Sequence, residues 1–203
     1  MYSQNNEEEI IVAEFARMGV ATGRFLDIGA WDGKGFSNTY RLVELGWSGV
    51  CVEASPTVFP NLIKNLASNP NITLVNAAVS PAQAKLVEWW DSGGDAISTT
   101  SPAHKEKWEA GWKVTYTKHW VYTMPMSTLF DQFGFEFDLI NIDVESTNLE
   151  MFRALPWPAL KATKVICVEH DYHQLEMSQL ASKYGFSALG MNGENLIVTR
   201  QLA

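Results

Sequence analysis

Asp27, Gly29 and Gly33 stand in FLDIGAWDG (25–33), where an apolar run ends in a carboxylate and two glycines. Glu53 closes a second apolar run, SGVCVEA, at the distance of roughly 20 residues at which a dinucleotide-binding unit places its ribose carboxylate. Such a carboxylate accepts hydrogen bonds from both ribose hydroxyls, and the glycines let backbone amides approach a ligand. Together they imply an adenosine-containing ligand. The glycines run Gly29-x-x-x-Gly33-x-Gly35, not G-x-G-x-x-G, with Ala30 and Asp32 between the first two. Asp27 and Asp32 would repel a pyrophosphate. They suit a ligand bearing an ammonium and a sulfonium, as S-adenosylmethionine does.

A second set of acids lies further on. Asp143 and Glu145 come after FDLINI, and Glu169, His170 and Asp171 after VICV. Methyl transfer is an in-line displacement that needs alignment and, for a hydroxyl nucleophile, removal of a proton. Side chains alternate along a strand, which sets Asp143 and Glu145 on one side. Asp143 is the candidate to contact the cofactor or orient the acceptor, and Glu145 or His170 is the candidate base. The alternative is a divalent cation held by Asp143 with Asp171 and His170 or Glu145, oxygen-rich ligands of the kind Mg²⁺ takes. Solvated loop acids would explain Glu145 and Glu169 equally well.

These residues need a scaffold that brings strand ends together. Strand-like runs fall at 24–29, 48–54, 72–79, 137–143 and 164–170, separated by helix-like runs at 38–46, 56–68, 126–134, 148–155 and 175–185. A hairpin turning at Asn192-Gly193 spans 186–200. Near-continuous apolar strands alternating with helices predict an α/β, doubly wound, mostly parallel sheet with a C-terminal antiparallel pair, in one domain. Ligands then bind beyond the carboxyl ends of the strands. Residues 80–125 break the rhythm and read as an insertion carrying five of the eight tryptophans, Trp89, Trp90, Trp108, Trp112 and Trp120. The insertion either anchors itself through these rings or walls an acceptor pocket, with Ser98, Thr99, His104 and Lys105 to position hydroxyls. The polar YSQNN precedes a helix-like run, and Ser3 and Gln4 are expected to fold over the cleft.

The formal net charge of −8 and the lack of basic clusters argue against a nucleic-acid partner. No apolar run approaches the ~20 residues that span a bilayer. The acidic start lacks the basic region of a secretory signal. Cys51 and Cys167 sit inside apolar runs and read as small buried hydrophobes. A cytoplasmic address is expected.

FLDIGAWDGKGFSNTYRLVELGWSGVCVEASPTVFPNL resembles the opening of FkbM-type S-adenosylmethionine-dependent methyltransferases. YSQNNEEEII, VNAAVS, DLINIDVESTNLEMF and VICVEHD extend the resemblance over all but about 85–125. It implies a seven-stranded class I methyltransferase fold, S-adenosylmethionine as cofactor and oxygen as the atom methylated. It also implies that Asp27, Gly29 and Gly33 surround the methionine moiety, Glu53 holds the ribose, and Ala54, Ala77 and Ala78 enclose the adenine. The family more often reads D-x-E-G-x-E where this chain reads DVESTNLE, with Ser146 and Asn148 as departures. The leading expectation is an O-methyltransferase acting on a small or glycan-like acceptor. A silent cofactor-binding module and a nicotinamide-dependent oxidoreductase are the alternatives.

Overall fold

The computed structural model describes residues 1–145 and 147–201. In chain order it runs α1 (Glu7–Arg17), β1 (Arg24–Ile28), α2 (Tyr40–Glu44), β2 (Ser48–Glu53), α3 (Phe59–Leu66) and β3 (Ile72–Asn76). Then come β4 (Ala78–Ser80), β5 (Leu86–Asp91), α4 (Pro102–Trp112), β6 (Thr117–Pro125), α5 (Met126–Phe133) and β7 (Leu139–Ile142). The chain closes with α6 (Asn148–Ala154), β8 (Val165–Glu169), α7 (Gln174–Ser182), β9 (Phe186–Met191) and β10 (Asn195–Arg200).

Seven strands form one sheet in the order β3-β2-β1-β7-β8-β10-β9, parallel except for β10. The alternation of buried side chains explains its two layers. Leu26, Ile28, Val50, Val52, Ile140 and Ile142 face a core completed by Phe130, Phe152 and Met177 of α5, α6 and α7. Phe25, Cys51, Leu139 and Cys167 face the opposite core, completed by Ile11 and Phe15 of α1, Leu42 of α2 and Leu62 of α3. A sheet so covered must be apolar on both faces, and its strands are. The chain builds outward from β1 in one direction through β2 and β3, then returns to β7 on the other side. That reversal opens a crevice at the ends of β1 and β7.

The run 72–79 is two strands, not one. Ala77 N–H donates to the Glu53 carbonyl at 3.0 Å, and Asn76 Nδ2 donates to the same oxygen at 2.8 Å. The Asn76 amide thus ends the pairing with β2, and the chain crosses into a second sheet, β4-β6-β5. This small sheet and α4 are the insertion. Odd residues of β5 turn inward, where Trp89 and Asp91 are buried. Lys118 of β6 lies over the Trp90 and Trp120 rings at 5.3 and 5.0 Å.

The N-terminal segment lies on the hairpin and on α2. Gln4 and Asn5 donate to the two carboxylate oxygens of Glu194, each at 3.0 Å. Ser3 Oγ accepts from Glu8 N–H at 3.2 Å, and Glu8 answers through Ser3 N–H. Ser3 and Gln4 are therefore engaged in capping α1 and pinning the turn, and neither stands in the wall of the crevice.

Candidate active site

Asp27 ends up beneath the crevice in a closed hydrogen-bond set. Its Oδ2 accepts from Thr39 Oγ1 at 2.6 Å and its Oδ1 from Asn141 Nδ2 at 2.8 Å. Asn38 Nδ2 in turn donates to Asn141 Oδ1 at 3.1 Å. Burial pushes the Asp27 carboxyl up, and the two donors oppose this. Sequence reasoning missed all three partners. Asn141 carried a signal, being the one amide in the buried strand LINI.

Gly29 has φ +90° and lies against the end of β7: a Cβ there would stand 1.6 Å from the Asp143 carbonyl oxygen. Only glycine lets these strand ends touch. Gly33, at φ +75°, serves packing, since its Cβ would meet Leu62 of α3 at 2.5 Å. Asp32 Oδ1 accepts from the N–H groups of Lys34 and Gly35 at 2.8 and 2.7 Å. Asp32 and Gly33 thus shape the loop, while Asp27, Gly29 and Ala30 stand in the cavity wall.

The crevice encloses about 990 Å³ of empty space, counting its open mouth. Its wall includes Glu53, Ala54, Val58, Ala77, Ala78 and Val79. Glu53 Oε1 accepts from Ser55 N–H at 2.6 Å and Oε2 from Trp31 N–H at 2.9 Å. Burial outweighs these donors and raises its carboxyl to about 7. The wall also includes Asp143, Glu145 and Thr147, which follow β7, and Trp89, Ser98 and Thr100 of the insertion. Trp89 is the one insertion tryptophan in this wall. Its buried Nε1 has no hydrogen-bond partner among the described residues.

Four carboxyls converge beyond β7 and β8. Asp143 is driven well up, first by burial and then by the charges of Glu169 and Glu145. Its interaction with the Glu169 side chain raises Asp143 further and opposes the rise of Glu169. Glu169 is raised to about 7 by burial and by Asp171, and Glu145 to about 8 by burial, Glu169 and Asp171. Asn148 is wholly buried among them. Its Nδ2 donates to Glu169 Oε2 at 2.6 Å and to Asp171 Oδ2 at 3.0 Å, while its Oδ1 accepts Val144 N–H at 2.8 Å. Ser146 lies outside the described residues. Among the described residues, no group of three or more His, Cys, Asp or Glu side chains is arranged to hold a metal ion.

His170 is brought near the acids but turned from the crevice. Its Nδ1 accepts Tyr172 N–H and its Nε2 contacts the Asn192 carbonyl, both at 3.1 Å. It is buried and outside the cavity wall. The histidine that reaches Glu145 is His104 of α4, with 3.3 Å between Nε2 and Glu145 Oε2. Three non-glycine residues of the cavity wall adopt positive φ: Trp31, Phe36 and Glu145. Such strain clusters at functional sites.

A sheet ordered in this way, with its acid-and-glycine loop at the reversal and its antiparallel last strand, defines a class I methyltransferase fold. The methyltransferase FkbM domain matches residues 27–188, and the chain belongs to that family. Among solved structures it is similar to the methyltransferase FkbM of Methylobacillus flagellatus, with TM-score 0.56 and 10% identity over 88% of this chain. The match covers 44% of that larger chain. It is also similar to the ribosomal protein L11 methylase of Lactobacillus delbrueckii subsp. bulgaricus, with TM-score 0.54, 15% identity, and 98% and 81% of the two chains covered. No curated protein matches the chain in sequence. The family and fold are those of S-adenosylmethionine-dependent methyltransferases. Among the described residues no helix is long and apolar enough to cross a membrane.

Proposed function

We propose that the chain transfers a methyl group from S-adenosylmethionine to a hydroxyl of a small or carbohydrate-like acceptor. The residues fit that cofactor. Glu53 offers two buried carboxylate oxygens to ribose hydroxyls, and Ala54, Ala77 and Ala78 leave a flat apolar space for an adenine. Gly29 and Ala30 stand in the cavity wall, their N–H groups both held by the Val52 carbonyl at 2.9 and 3.0 Å. Asp27, Asp143 and Glu145 line the cavity, and a cationic ligand beside them would favour their ionised forms, whereas a pyrophosphate would oppose them. When bound, S-adenosylmethionine supplies an electrophilic methyl group.

The observation that carries the reading is Glu145, a carboxyl in the cavity wall whose proton is held to about 8. A base whose pKa lies near working pH is suited to take a hydroxyl proton. Its neighbours in the wall, Ser98 and Thr100, offer hydroxyls to orient a polyol. The test is formation of S-adenosylhomocysteine with a panel of monosaccharides and cyclic alcohols, measured as a function of pH. The rate should rise through about pH 8 as Glu145 ionises. Glu145→Gln should lose at least tenfold in turnover and keep the parent affinity for S-adenosylhomocysteine. Methylation of an amine in preference to every alcohol tested, or a Glu145→Gln enzyme with the parent rate profile, would overturn the assignment.

A further inference from the structure

The insertion reaches the acid cluster through one side chain. Ser101 caps α4 by accepting His104 N–H at 3.3 Å, and Pro102 opens the helix. This fixes His104 in the first turn, where its ring faces Glu145. The side chains of His104 and Glu145 are only 11% and 22% exposed. Their 3.3 Å approach is within ion-pair distance but lacks hydrogen-bond alignment, and His104 Nε2 is buried with no hydrogen-bond partner among the described residues. A second link ties the same elements: Thr99 Oγ1 donates to the Glu145 carbonyl at 3.2 Å. Thr99 is itself paired with Trp90 through both backbone groups, at 2.8 and 3.0 Å. The insertion is therefore clamped to the segment that carries Glu145. The Trp108 ring stands 6.1 Å from the His104 ring.

We propose that His104 is the second half of a proton-accepting pair with Glu145, so that the insertion supplies a working group to the methyl-transfer site. This rests on the function proposed above. In the step served, an oxygen–carbon bond forms as the donor's carbon–sulfur bond breaks, and the hydroxyl proton passes to Glu145. His104 then takes that proton transiently and passes it on to solvent, leaving Glu145 ready for the next acceptor. A partner for this role must be an uncharged base. Burial, together with Lys107 on the same helix, lowers His104, while Asp171 from the loop after β8 opposes them. The other charges facing Glu145 are Glu169, Asp171, Lys107 and Glu194. Among the described residues, none but His104 is within ion-pair distance of the Glu145 carboxylate. His104 thus acts on the acceptor through Glu145 and is a positioning and relay residue.

The experiment has two arms on the full chain. Histidine ring resonances are titrated by NMR with S-adenosylhomocysteine present, His104 being assigned among the four histidines by its absence in His104→Gln. In the parent, the His104 curve should show two steps, because it titrates with Glu145, and in Glu145→Gln a single step. In the second arm, His104→Gln should lower turnover at least tenfold and move the alkaline rise of the rate, with S-adenosylhomocysteine affinity unchanged. A His104 titration curve that Glu145→Gln leaves unaltered overturns the proposal, as does a His104→Gln enzyme with the parent pH profile. Failure of the parent to bind S-adenosylhomocysteine would instead sink the function proposed above, and the titration without ligand would still decide whether the pair exists.

Discussion

Replacing Glu53 by Gln separates the cost of burying its charge from the value of its hydrogen bonds. The Glu53 carboxyl is 7% exposed and rises from the ordinary 4.5 to about 7 because burial outweighs the backbone donors at Ser55, Trp31 and Ala54. In the unfolded chain it ionises near 4.5, so between the two values the folded state holds the extra proton. Stability contributed by the neutral carboxyl is therefore present at low pH, falls as pH rises, and is fully lost above about 7. The interval is about 2.5 pH units, and at about 1.4 kcal/mol each the loss is about 3–4 kcal/mol. Gln cannot ionise and escapes that loss. It has one acceptor where Glu53 offers two to Ser55 and Trp31, which costs about 1–3 kcal/mol at every pH. Glu53→Gln should thus be less stable than the parent at about pH 4, and as stable or more so at about pH 8. Urea unfolding monitored by tryptophan fluorescence at constant ionic strength measures both gaps. Glu145 and Glu169 titrate in the same range, but they are common to both proteins and largely cancel in the difference. A gap that is equal at the two pH values would refute the reasoning.

Gly29→Ala should destabilise the chain by more than about 3 kcal/mol, because its Cβ collides with the Asp143 carbonyl, while Gly46→Ala, with similar φ but open space, should cost only about 1 kcal/mol; thermal unfolding of the pair checks this. Asn148→Asp should cost about 2–4 kcal/mol at pH 8 by leaving Glu169 and Asp171 without their donor beside a third charge, and distinctly less at pH 5, below the value of about 7 to which Glu169 is raised. Unfolding free energies at the two pH values measure it, and a cost independent of pH would show that the amide serves packing alone.

The sheet was legible because its central strands are apolar runs, as parallel strands covered on both faces are. Asp27, Gly29 and Glu53 were legible because local rules govern which residue types close a strand at a reversal. Their reasons were not. Gly29 is required by a carbonyl at Asp143, and Asp27 is held by Thr39 and Asn141 from two other elements. No local pattern encodes such meetings. The division of 72–79 was hidden for the same cause: Ala77 looks like any strand alanine until Glu53 supplies a carbonyl for its N–H. His170 and His104 exchanged prominence because the strand end nominated the first, whereas the second arrives from an insertion whose path depends on the whole domain.

Asn148 shows how a departure from a motif becomes intelligible once neighbours are known. The family pattern puts an acid there. In this chain the position is wholly buried between Glu169 and Asp171, with Asp143 and Glu145 close by. Among the described residues, no Lys or Arg is within ion-pair distance of any of the four. Another carboxylate there would have to be protonated or matched by a cation, and an ionised, unmatched one would drive Glu145 still higher. An amide satisfies two acceptors with one nitrogen and fixes the Val144 backbone with its oxygen. Glu145 is then left as a carboxyl of the cluster that faces the cavity with His104 as its neighbour. The substitution that weakens the motif match is thus the one that keeps this acid able to ionise near neutral pH.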